Sequence, residues 1–449
     1  MYAPLFRPFR YLIAGLLLSL AVGPGLLGET MSRADEFVRV DGTRFLRAGR
    51  PYAFAGVNFW FAAWLGRSGD GGDPARLGRE LDQLRSLGVT NLRVLAAAEP
   101  TRYAPLTPAF QPAPGRYNED LLRGLDRALD EIGRRGLTAV LYLNNQWEWS
   151  GGMATYVEWA TGEKRPPADR WPDTLRFDTR FYSLPAARTL YLDYVRHLVT
   201  RVNSVNGRRY ADDPTIMAWQ LCNEPRTGDG EDLARVGDSL LAWADENSRL
   251  IRRLAPRQLI STGSEGVIGC GWDADFYRRL HALPAIDYLT AHIWPLNWGW
   301  YKPADRAGTL PVSIQRTREY LSQHIAVARA LGKPLVLEEF GLGRDDARYL
   351  PGTPVTARDA YFSAVFETFR AELVTGSPLT GLNLWSWAGE GVPVDPAGAF
   401  WRPGTPFTGD NGIEPQGLNS LFATDHSTLA LLRDLNRHLS ANAAPVLSR

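Results

Sequence analysis

The chain has 449 residues, and its 50 basic and 49 acidic side chains leave almost no net charge. That balance removes the electrostatic case for nucleic acid or an anionic membrane as partner. Two cysteines and six histidines, with no His-x-x-x-His or Cys-x-x-Cys pair, argue against a disulfide framework and a bound metal, and no cofactor is expected.

Arg7 and Arg10 precede an apolar stretch from Tyr11 to Val22. It has signal-peptide length and falls short of the about 20 residues that span a bilayer. Residues 1–30 are read as an export signal, with Ser19-Leu20-Ala21 one plausible cleavage motif. The bland alternative is an uncleaved N-terminal anchor. On the first reading the mature protein is secreted or periplasmic, free of the membrane and monomeric.

From residue 37 to 440, strand-like runs alternate with amphipathic helices. The first strand is Tyr52 to Asn58, followed by a helix on Leu77, Leu81, Leu84 and Leu87. The second is Val89 to Leu95, with Leu122, Leu125, Leu129 and Ile132 on its helix. The third is Leu137 to Asn144, then a long loop to about Pro185 and a helix on Tyr191, Val195, Leu198 and Val202. The fourth ends at Glu224 and precedes a helix on Val236, Leu240, Trp243 and Leu250. The fifth is Gln258 to Thr262. The sixth is Ile286 to His292, with Leu321, Ile325 and Ala328 on the next helix. The seventh ends at Glu339, before Phe362, Phe366, Phe369 and Leu373. The eighth is Thr380 to Trp387, and Leu429, Leu432 and Leu439 close the set.

Eight strand–helix units in unbroken alternation predict a single-domain (β/α)₈ TIM barrel. An open doubly wound sheet competes, but no Gly-x-Gly-x-x-Gly follows the first strand. Barrel chemistry sits at the C-terminal strand ends, and two predicted strands stop there on an acid: Cys222-Asn223-Glu224-Pro225 and Glu338-Glu339-Phe340-Gly341. Two such acids suit glycosidic bond cleavage, one protonating the leaving oxygen and one attacking or activating water. For a retaining mechanism they should lie about 5–5.5 Å apart, against about 6.5–9.5 Å for inversion.

Strand alternation puts Glu224 on one face with Cys222 and Gln220, with Asn223 opposite. It likewise puts Glu339 with Leu337 and Leu335 on the lumen side, and Glu338 toward the helices beside a cation. Glu224 must be protonated to act as an acid, so burial and the Glu339 charge are expected to raise its pKa. Arg93 at a strand end offers a permanent cation to hold Glu339 ionised; a structural salt bridge is its bland reading. His292 would orient the acid or contact sugar, or be purely structural. Apart from Trp219 and Trp243, the 15 tryptophans fall at predicted strand ends or in the loops after them, where aromatic planes suit sugar stacking. Ordinary loop packing accounts for about half of them. Trp385 is the expected floor of the sugar site, with Trp387 a weaker candidate.

The run from Asp213 to Arg226, containing Asn223-Glu224-Pro225, resembles the strand-four signature of glycoside hydrolase family 5. Glu339-Phe340-Gly341 resembles its strand-seven motif. The wider set is similar to the endo-β-1,4-mannanase branch: Gly56-Val57-Asn58-Phe59-Trp60, Asn91-Leu92-Arg93, Thr200-Arg201-Val202-Asn203 and Ala291-His292-Ile293-Trp294-Pro295. It spans nearly the whole mature chain. The resemblance implies Glu224 as acid/base, Glu339 as nucleophile and Asn223 at a sugar 2-hydroxyl, with Asn58 and Trp60 among the substrate-binding positions. It implies a β-mannan polysaccharide or oligosaccharide as substrate. One departure is Trp294, where that branch carries a tyrosine whose hydroxyl bonds the nucleophile. Indole is a donor only and still suits a carboxylate such as Glu339. An exo-β-mannosidase, a β-1,4-glucanase and a non-catalytic glycan-binding barrel are the competing readings.

Overall fold

A computed structural model describes residues 36–102 and 106–442; the predicted export signal lies outside them. Eight parallel strands form the barrel sheet: β1 Phe54–Asn58, β2 Asn91–Leu95, β3 Thr138–Tyr142, β4 Ile216–Gln220, β5 Leu259–Ser261, β6 Leu289–Ile293, β7 Leu335–Phe340 and β8 Leu379–Leu384. The ladder runs β5-β4-β3-β2-β1-β8-β7-β6. At the seam between β5 and β6, the Asp287 backbone N–H donates to the Ile260 carbonyl at 2.8 Å, and the Asp287 carboxylate takes the Ile260 N–H at 2.7 Å. A side chain there replaces a missing rung.

Eight outer helices follow the strands: α1 Pro74–Ser86, α2 Glu119–Arg134, α3 Pro185–Val199, α4 Gly230–Leu254, α5 Ala274–His281, α6 Arg306–Leu331, α7 Thr356–Val374 and α8 His426–Asn442. Several start on side-chain caps. Asp73 accepts from the Arg76 N–H ahead of Pro74, Asn118 caps α2 and Asp273 caps α5. No helix among the described residues is long and apolar enough to cross a membrane.

The apolar core divides in two. One large cluster fills the space between sheet and helices; a small one, including Phe54, Val140, Met217, Leu259, Tyr288 and Val336, plugs the lower lumen. Phe45, from a three-stranded antiparallel sheet at residues 39–51, seals that plug from below. Above the plug the lumen turns polar: Asn383 donates to Asn91 at 3.1 Å, and Asn91 to Thr138 at 3.1 Å. The active end therefore rests on a filled barrel, as a rigid site requires.

Strand four ends earlier than its apolar run suggests. Beyond Gln220 the chain leaves the ladder, its N–H groups bonding first to the β5 side (Leu221 to Ser261, Cys222 to Thr262) and then to the β3 side (Asn223 to Asn144). Cys222 and Cys270 are both buried and free.

Candidate active site

Glu339 is the penultimate residue of β7, beside an irregularity. In the β6 ladder Leu337 pairs with Ala291 and Glu339 with His292, so Glu338 is skipped. This corrects the alternation argument. Leu335 and Leu337 pack outward in the large core cluster, while Val336 belongs to the lumen plug. The slip turns both glutamates inward. Glu338 is sealed in the lumen, accepting from Gln220 Nε2 at 2.5 Å and Tyr288 Oη at 3.3 Å, with Arg93 Nε 3.7 Å away.

Glu224 lies four residues past β4 at φ +52°, in the left-handed region. Its N–H donates to the Gly263 carbonyl at 2.9 Å. Gly263 allows that approach, since a Cβ there would meet the Cys222 oxygen at 1.8 Å. Because the strand has ended, alternation no longer holds: Asn223 faces the lumen with Gln220, both accepting from Arg93 Nη2 at 2.7 Å.

Arg93 uses all five of its N–H donors. Nε and Nη2 reach Gln220 Oε1, Nη2 also reaches Asn223, and Nη1 reaches Asn58 Oδ1 and Glu339. Its guanidinium lies 4.4 Å from the Tyr142 ring centre. Asn58 is itself held by donating to the Glu338 and Leu384 carbonyls. Arg93 and Asn58 are therefore buried braces behind Glu339 rather than surfaces open to sugar.

His292 Nδ1 shares a 2.6 Å hydrogen bond with Glu224 and lies 3.5 Å from Glu339. Trp147 donates its indole N–H to the other Glu224 oxygen. One oxygen of each glutamate and a ring nitrogen of His292 all lie within 4.8 Å of one another. Such a cluster has the compactness of a metal site, but its two carboxylates already hold the cations His292 and Arg93, so it is neutralised from within.

The charges differ from expectation. Burial raises Glu224, yet the hydrogen bond and charge of His292, helped by Arg226 and Trp147, carry it down to about 2. Burial opposes the charge on His292, but Glu339 and the bond to Glu224 raise it to about 10. Burial raises Glu339, and the Glu224 charge adds to it, against the pull of His292 and Arg93. One proton is shared by the His292–Glu224 pair, and moving it to the carboxylate changes no net charge.

The mouth is a cavity of about 540 Å³ lined by Trp147, Asn223, Glu224, Trp294, Glu339 and Trp385, with Arg226 and Glu414 at its walls. Trp385 lies edge-on to Trp294, ring centres 5.9 Å apart, and its enclosed indole N–H has no partner. Trp60 is a correction: it is buried behind the mouth, its N–H on the Gly409 carbonyl at 2.6 Å. Trp387 is buried too, donating to Glu80 at 3.0 Å. Trp294 lines the cavity but is not hydrogen-bonded to Glu339; the indole on a catalytic carboxylate is that of Trp147.

Trp147, Arg226 and Glu414 escaped the sequence reading. Arg226 follows the Asn223-Glu224-Pro225 run directly; it is clamped by Glu265 at 2.6 and 3.0 Å and lies 4.8 Å from the Trp147 ring centre. Burial raises Glu414 above the ordinary carboxylate range, with Asp410 and Glu339 adding to it.

A barrel that gathers two carboxyls at its mouth, each with its own donors and cation, falls among the glycoside hydrolases. Within that class the chain belongs to family 5: residues 35–443 match the family model described as GH family 5 beta-mannosidase-like. It is 31% identical over 387 residues to putative mannan endo-1,4-beta-mannosidase 9 of Oryza sativa subsp. japonica, covering 83% of this chain and 88% of the relative. The crystal structure of a family 5 mannosidase from Rhizomucor miehei superposes with a TM-score of 0.81 at 34% identity, covering 91% of this chain and 98% of the other. A hyperthermostable endo-1,4-beta-D-mannanase from Thermotoga petrophila RKU-1 shares the fold, with a TM-score of 0.64 at 23% identity over 86% of this chain and all of that one.

The indole donor is directly testable. Trp147→Phe keeps the ring and removes the N–H, so kcat on an aryl β-glycoside is expected to fall roughly 10- to 100-fold, one charge-assisted hydrogen bond of about 1.5–3 kcal/mol. Trp294→Phe should cost less. If Trp294→Phe proves the more damaging in steady-state kinetics, the donor assignment is wrong.

Proposed function

We propose that this glycoside hydrolase cleaves β-1,4-mannosidic bonds of mannan or its oligosaccharides by double displacement, with Glu339 as nucleophile and Glu224 as acid/base. The observation that carries the reading is the approach of the two carboxyls within 4.8 Å, near the about 5–5.5 Å of retaining enzymes and short of the about 6.5–9.5 Å that admits a water for inversion. Arg93 and His292 hold the attacking Glu339 oxygens among cations, which favours the ionised form. The proton of the His292–Glu224 pair passes to the glycosidic oxygen as it develops charge; Glu224 then takes one back from the water that releases the sugar. Trp385 floors the reacting sugar, and Asn223, fixed by Arg93 and by donation to Asn145 at 3.0 Å, stands beside it for the 2-hydroxyl. Residues 1–30, read as an export signal, make secretion part of the same proposal.

The mannose preference is supported by the rice relative's name and by the Rhizomucor miehei mannosidase, a mutant of which is in complex with mannosyl-fructose. Endo action follows the curated relatives. Exo action is favoured by a separate observation: the long segment after β8 brings Asn411, Ile413 and Glu414 onto the cleft as part of its wall. Mannohexaose and mannan distinguish them. Endo action gives a mixture of oligosaccharides from the first time points, and exo action gives mannose alone. A product first released as the α-anomer, seen by proton NMR, would sink the retaining mechanism.

A further inference from the structure

We infer that Trp171 and Trp272 form an outer aromatic path that carries the leaving-group half of a glycan chain away from Glu224. The inference rests on the proposed role of Glu224 as the acid that protonates the leaving oxygen. All other tryptophans are buried or half-buried; these two are 50% and 57% exposed. Single exposed apolar residues are ordinary on a protein surface. What sets this pair apart is their continuity with the site.

Trp171 lines the same cavity as Glu224, and its ring lies 6.3 Å from that of Trp147 at an interplanar angle of 24°. Trp147 is the indole that donates to Glu224. The two rings thus make a stepped, nearly parallel surface that begins at the acid and ends in solvent. Trp272 lies beyond, on the loop after β5. A Cβ on Gly228 would come 3.1 Å from Leu175, in the short helix Asp173–Asp178 that follows Trp171-Pro172. A Cβ on Gly271 would come 2.5 Å from the Gly228 carbonyl oxygen. Both loops therefore press on the turn that follows Glu224-Pro225-Arg226; Trp171 stands four residues before Leu175, and Trp272 directly follows Gly271.

Trp272 also adopts φ +61°, a conformation costly for any residue with a side chain. Its backbone N–H donates to the Val267 carbonyl at 2.7 Å, while more than half of the residue stays exposed. Arg176 is paired with Asp232 at 3.0 Å, and what the two exposed indoles themselves offer a ligand is stacking. A neutral β-1,4-linked glycan, whose pyranose rings present apolar C–H faces, is the chemistry that fits.

The test compares kcat/KM on β-1,4-manno-oligosaccharides of two to six units, with the equivalent gluco series in parallel. Trp171→Ala should lower the hexaose-to-biose ratio of kcat/KM roughly 5- to 10-fold and Trp272→Ala roughly 2- to 5-fold, the range of one aromatic contact each. Trp171→Phe should restore most of the ratio. Because the ratio does not depend on the fraction of folded enzyme, partial misfolding does not imitate the result. An unchanged ratio in either alanine variant overturns the path, as does a phenylalanine variant that falls as far as alanine. If the parent prefers the gluco series, the mannan reading fails, and the path is judged by the same ratio on that series.

Discussion

Glu339→Ala is expected to reduce turnover by roughly 10⁴-fold or more, because the residue lost is the group that would form the covalent intermediate. Azide, small enough to occupy the vacated space, should restore part of the rate and give a glycosyl azide of inverted configuration. Glu224→Ala should behave differently. An activated aryl mannoside needs little protonation, so its first step is spared, and azide should speed the second step with retention. Glu338→Ala serves as the internal control. That carboxyl is sealed beneath the site on Gln220 and Tyr288, so azide has no route to a sugar from there. Product configurations read by NMR decide the matter: rescue of Glu224→Ala with inversion would exchange the two roles, and rescue of Glu338→Ala would move the nucleophile one residue back.

The architecture was legible because eight apolar runs alternate with helical periodicity: five barrel strands fall within the predicted ones, β6 and β7 run one residue further, and β8 starts one residue earlier. Both acids were legible from their position between an apolar run and a Pro or Gly. Side-chain direction was not. Alternation reasons from an unbroken strand, yet β4 ends at Gln220 and β7 slips at Glu338, so Asn223 and Glu338 both face the lumen against expectation. The tryptophans show the same limit. Their crowding at strand ends is visible in the sequence, but Trp60 and Trp387 spend their N–H groups on protein acceptors, while Trp147 points to Glu224. Which indole serves the site depends on contacts between segments far apart in the chain. The charge state was misjudged for a related reason: burial raises Glu224, and the bond and charge of His292, with Arg226 and Trp147, reverse it, none of which strand position reveals.

Arg93→Met should be the most damaging change outside the two acids. Five donors meet four acceptor side chains at full burial, so removing the guanidinium strands the Asn58, Gln220 and Asn223 oxygens and leaves Glu339 and Glu338 without their shared cation. Breaking a buried pair in this way costs about 3–5 kcal/mol of stability, measurable by denaturant unfolding. Turnover should fall roughly 10³-fold. The pH profile separates this electrostatic role from a merely structural one. Burial already raises Glu339 and Arg93 pulls it down, so without Arg93 its pKa rises further. Glu339 attacks only when ionised, so the acid limb of kcat/KM should move to higher pH. Arg93→Lys keeps the charge but has three donors for five bonds, and should move the limb less while still losing much of the rate. An acid limb that stays in place in Arg93→Met, with the whole loss in stability or KM, would mean that Arg93 shapes the barrel mouth without tuning the nucleophile.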